Sequence, residues 1–140
     1  MKIYVRKIIL ILLIVISLTS VISCSRKHNN EDDEIRPNSN PYKAKEKLET
    51  KGYVVEFSDD KYTLGQLPYK GIQALLIAFN DDKVATVIYY FESKDDANDA
   101  WKELENEIKQ SMNAVIDDGV VEKYGKMIYS GTERAIKDTR

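Results

Sequence analysis

The chain is poor in reactive side chains. Its 140 residues include one cysteine, Cys24, and one histidine, His28. A single cysteine excludes an intrachain disulfide and a cysteine-based zinc site. Nothing after His28 supplies an imidazole or a thiol, so Ser-His and Cys-His machinery is excluded as well. A basic excess is missing too: 21 Lys and Arg stand against 23 Asp and Glu, a formal net charge of −2 with a pI of about 5.5. No cationic track is available for a phosphate backbone, which argues against nucleic acid as a partner. No cofactor motif is present, and the length allows one small domain rather than two.

Long hydrophobic runs are also scarce, and the one that exists is informative. Lys2, Arg6 and Lys7 precede an uncharged stretch from Ile8 to Ser23, broken only by Ser17, Thr19, Ser20 and Ser23. A helix of a soluble core would need a polar face, and this run has none. It reads as the basic and apolar regions of an export signal, short for a membrane span of roughly 20 residues. The run closes on Val21-Ile22-Ser23-Cys24, which resembles the lipobox of bacterial lipoproteins. That resemblance covers Met1 to Cys24 only. It implies a diacylglyceryl group on the Cys24 sulfur, cleavage just before Cys24, and a fatty acyl chain such as palmitate on the new amino terminus. It further implies a lipid-anchored protein of the bacterial cell membrane, facing outside the cytoplasm. An uncleaved anchor and an unmodified Cys24 are the alternatives.

Loss of residues 1–23 removes three positive charges and leaves 18 basic against 23 acidic residues, a formal net charge of −5. Such a chain does not adhere to anionic lipid by charge alone, so its acyl chains must hold it. From Ser25 to Asn40 the sequence SRKHNNEDDEIRPNSN contains one apolar residue outside Pro37, namely Ile35. Too little surface can be buried there to offset the entropy of ordering, and residues 24–40 are expected to be a lipidated cysteine and a flexible tether.

Residues 41–140 form a single α+β domain in this reading. Asn40 before Pro41 is a helix start and Gly52 a helix stop, placing the first helix at about 41–51. Tyr53, Val55 and Phe57 alternate on one face of a strand that ends at Asp59-Asp60; residues 61–71 read as an irregular loop. Two β-rich runs, 72–79 and 84–91, flank a polar turn and predict a hairpin in which Phe79 pairs with Val84. A second helix is expected at about 94–111, with Ala97, Ala100, Trp101, Leu104 and Ile108 at helical spacing and Trp101 as a core anchor. Residues 120–124 and 127–130 form a second hairpin closed near Gly125, and Thr132 caps a short last helix. The order α-β-β-β-α-β-β-α, with strands arriving as hairpins, implies a mainly antiparallel sheet of about five strands with helices packed on it.

Two sets of residues are candidates for function. With Phe79 opposite Val84, one hairpin face carries Leu75, Ile77, Phe79, Ile88 and Tyr90, too apolar for an ordinary solvent face. Either a partner, a second copy or an apolar ligand covers it, or the first helix, the last helix or the 61–71 segment does so from within. The other set is the pairs Asp59-Asp60, Asp81-Asp82 and Asp117-Asp118, which could act as acid, base or cation ligands but sit where aspartate favours turns. Tyr42, Tyr62 and Tyr69 are further candidates for a contact surface. The expectation is a membrane-tethered, non-enzymatic binding module for a protein or envelope component, with no metal or catalytic residue; a small hydrolase or metal-binding domain using the turn carboxylates is the alternative.

Overall fold

The computed structural model describes residues 35–81, 85–113 and 119–140, and they form an α+β domain. Helix α1 spans Pro41–Thr50, with the Asn40 side chain accepting from the N–H groups of Tyr42 and Lys43 and proline at the first position. Both features satisfy or dispense with amide donors that a helix start leaves orphaned. The helix stops at Gly52, whose φ of 85° suits a residue without a Cβ. Strand β1 (Val54–Ser58) follows, then a one-turn helix α2 (Lys61–Leu64) where the sequence suggested only loop. Asp60 explains the difference: its carboxylate accepts from the Thr63 N–H and hydroxyl, each at 2.8 Å.

Strands β2 (Ile72–Phe79) and β3 (Ala85–Phe91) make the central hairpin, helix α3 runs from Lys94 to Asn113, and β4 (Gly119–Tyr124), β5 (Met127–Thr132) and helix α4 (Glu133–Lys137) complete the domain. All ladders are antiparallel, in the order β1-β2-β3-β5-β4. Ser93 starts α3 by accepting from the Asp96 N–H while donating to the Asp96 carboxylate.

The hairpin register differs from the expected one by a residue. Phe79 lies opposite Ala85, and Gln73 is the extra residue of a bulge between Ile72 and Ala74. A one-residue slip carries every side chain of a strand to the other face, so the faces are sorted anew. Ala74, Leu76, Ala78, Ile88, Tyr90, Met127 and Tyr129 meet α1 and α4, whereas Leu75, Ile77, Val87, Tyr89, Phe91 and Ile128 meet α3 and the α2 segment. The sheet is therefore filled on both sides. Fully buried Leu76 and Ile88 sit at its centre, each contributing about 1.5–3 kcal/mol through burial. Trp101 is packed against the α3-side core only in part, at its margin, while Ala97, Ala100 and Leu104 are the buried residues of α3.

Residues 35–40 correct the expected domain boundary. They do not belong to a tether but lie as a strap on the α1 side of the sheet, where Ile35 packs against the core and Pro37 is buried. Cys24, His28 and the leader lie outside the described residues.

Candidate functional site

The face expected to receive a partner does not exist as one surface. Leu75 and Ile77 are buried under α3 and the α2 segment, Ile88 and Tyr90 are buried on the opposite side, and Phe79 is half-buried at the end of β2. Helices and the 61–71 segment of the same chain cover these residues, which removes them as a docking face.

The aspartate pairs are not brought together among the described residues. Asp60 caps α2, and the bonds from Thr63 hold its carboxyl below the ordinary carboxylate range. Asp59 accepts the Tyr42 hydroxyl at 2.8 Å, a bond that raises the tyrosine's pKa. Asp81 is exposed, while Asp82, Asp117 and Asp118 lie outside the described residues. No group of three or more His, Cys, Asp or Glu among the described residues could hold a metal ion.

Two features that sequence reasoning missed are better organised. One is the strap. The Tyr129 hydroxyl donates to the Ile35 carbonyl at 2.9 Å and the Tyr90 hydroxyl to the Asn38 carbonyl at 3.0 Å. Arg140 donates its Nε–H to the Arg36 carbonyl at 2.6 Å, and the Arg36 guanidinium stacks 3.6 Å above the Tyr124 ring. Burial pushes the hydroxyls of Tyr90 and Tyr129 well above the ordinary tyrosine value, with Glu122 adding to the shift at Tyr129. Both therefore stay protonated and able to donate. The sequence places Tyr90 on the expected partner face and Tyr129 only within a strand; their hydroxyl partners, about fifty and ninety positions away, leave no local signal in sequence.

The other feature is the free edge of β1. Among the described residues this strand pairs only with β2, so among them its outward main-chain groups are open to a further strand. Glu56 is its one charged residue. Over its α1 side the Tyr42 ring lies 5.4 Å from that of Phe57, and the Lys45 ammonium stands 5.8 Å from the Phe57 ring. On the other side Val54 is 55% exposed. The opposite edge, β4, carries both Glu122 and Lys123 and is flanked by the Arg36–Tyr124 stack, so it is the better guarded of the two. Tyr62, at 75% exposure, stands alone on α2, and Tyr69 instead packs edge-on against Tyr89 with its hydroxyl towards Glu107.

Compared with protein-family models, with curated proteins and with solved structures, the chain matches none. No helix among the described residues is long and apolar enough to cross a membrane.

Proposed function

We propose that this chain is a lipid-anchored module on the outer side of the bacterial cell membrane that binds a protein or envelope component and performs no chemistry. The observation that carries the anchor is the apolar run ending in Val21-Ile22-Ser23-Cys24. The binding half is supported by the β1 edge, where Tyr42 and Phe57 form a small aromatic surface beside open main-chain groups. Carboxylates that cap a helix or accept a tyrosine hydroxyl give the hydrolase alternative no comparable support.

Intact-mass measurement of the protein extracted from membranes tests the anchor. The expected mass is that of a chain starting at Cys24 with a diacylglyceryl group and one more acyl chain, and Cys24→Ala should leave an uncleaved precursor or release the domain. An unmodified cysteine in the mature chain would overturn the proposal.

A further inference from the structure

The net negative charge hides a segregation of charge between the two layers that sandwich the sheet. Residues 35–51 and 133–140, which build the strap, α1 and α4, carry eight Lys and Arg against four Asp and Glu. Residues 60–71 and 94–113, which build the α2 segment and α3 on the other side, carry five against seven. One face of the domain is thus basic and the other acidic, although the chain as a whole is acidic.

The basic side chains are also gathered within their layer. Lys43, Lys47 and Lys51 recur every fourth residue, on one flank of α1. Lys51 pairs with Asp138 at 3.0 Å, so this flank faces α4, where Arg134 and Lys137 stand. The third contributor is the strap, whose Arg36 is held by Arg140 through its carbonyl.

Where the described chain begins is a second, independent observation. Ile35, the first described residue, is fixed on the basic layer by the Tyr129 hydroxyl and by its own packing. Ten residues separate it from Cys24, a covalent path of at most about 40 Å. The path to the anchor therefore starts on the basic side.

From these two observations we infer that the domain rests with its strap, α1 and α4 layer on the membrane, its lysines and arginines against anionic lipid headgroups. The inference rests on the lipid anchor proposed above and adds an orientation to it. Basic groups near an anionic leaflet are attracted over about one Debye length, roughly 8–10 Å at physiological salt. The acidic α3 layer is repelled by the same field and faces away. The β1 edge then lies at the side of the tethered domain, still open to a partner strand.

Lysine-by-lysine labelling tests the orientation. The mature lipidated protein is placed in vesicles of phosphatidylcholine alone or of phosphatidylcholine with phosphatidylglycerol, treated with a membrane-impermeant amine reagent, and read by mass spectrometry. On the anionic vesicles Lys43 and Lys47 should react about threefold or more slowly than on the neutral ones, and high salt should restore their rates. Lys94 and Lys102 on α3 should react equally on both. The double variant Lys43→Glu, Lys47→Glu changes only exposed positions and should also relieve the protection of Lys51. Equal rates for Lys43 and Lys47 on the two vesicles, or protection of Lys94 and Lys102 instead, would overturn the orientation while leaving the anchor intact. Failure of the protein to stay with neutral vesicles would overturn the anchor itself, and the orientation with it.

Discussion

Asn38 donates its main-chain N–H to the Thr139 hydroxyl at 2.8 Å, joining two residues 101 positions apart. Thr139 is fully buried and its own O–H donates to the Ile136 carbonyl at 2.7 Å. A single hydroxyl thus ties the strap to the end of α4, and α4 in turn lies on β3 and β5. The strap and the last helix cover adjoining parts of one sheet face and hold each other there.

Thr139→Val keeps the shape of the side chain and removes the hydroxyl. The Asn38 N–H is left without its acceptor, so the variant should lose about 1–3 kcal/mol. Denaturant unfolding gives the loss, and hydrogen exchange locates it: the Asn38 amide should exchange faster while amides of β2 keep the protection set by global unfolding. Unchanged exchange at Asn38 would show that the strap is held by its other bonds alone.

Glycine 131 is where β5 and β3 approach too closely for any side chain. Its φ is 141°, and a Cβ built on it would meet the Ala85 carbonyl oxygen at 2.3 Å. Gly131→Ala should therefore cost about 2–4 kcal/mol. Gly52→Ala shares the positive φ but meets no atom within 4 Å, and should cost only about 1 kcal/mol. Melting of the two variants side by side separates contact strain from dihedral strain, and equal losses would contradict the close approach at Gly131.

Asp138 supplies a pH dependence whose sign is fixed by its surroundings. Burial raises its pKa, but the Tyr53 hydroxyl at 2.7 Å and the Lys51 ammonium at 3.0 Å, together with Arg134, outweigh burial and leave it below the ordinary value. A depressed carboxylate stabilises the fold above its unfolded pKa of about 3.9 and loses that contribution as pH falls through the folded value. Asp138→Asn should be less stable than the parent chain at neutral pH, and the gap should close as pH falls below the ordinary carboxylate value of about 3.9 and through the folded pKa of Asp138. Urea unfolding across the acid range checks this, and a gap that persists undiminished at low pH would show that the carboxylate charge is not what Asp138 contributes.

How much of this was legible in the sequence depends on whether the cause was local. Asn40 with Pro41, Gly52, Ser93 and Thr132 act within one helical turn, and the helices they bound lie where the sequence places them. The hairpin register was not local. Polar residues between Phe79 and Ala85 mark a turn without fixing which pair closes it, and the bulge at Gln73 has no side-chain signature. Since alternation alone assigns faces, one shifted partner moved Ile88 and Tyr90 across the sheet and dissolved the expected binding surface. The strap was illegible for the same reason in stronger form. Ile35 and Pro37 stand singly in a polar stretch, and the side chains that bond the strap's carbonyls come from residues 90–140. Segregation of charge between layers likewise needs the fold, because basic residues 35–51 and 133–140 lie at opposite ends of the described chain.

The β1 edge yields the last prediction, because it separates partner binding from stability. Tyr42 and Val54 are 58% and 55% exposed, so Tyr42→Ala and Val54→Lys should each change stability by no more than about 0.5–1 kcal/mol. Tyr42→Ala removes the ring over Phe57 and the bond to Asp59, and Val54→Lys adds the kind of charge that guards natural sheet edges. If a partner adds to this edge, a photoreactive residue at position 54 should form a discrete adduct on cells. That adduct should weaken when Tyr42→Ala is combined with it, and a photoreactive residue at Asp99 on α3 should give none. An adduct from position 99 and not from position 54 would move the binding surface to the acidic layer, which the proposed orientation also leaves facing away from the membrane. In that outcome the anchor and the orientation survive and only the β1 edge is lost as the contact.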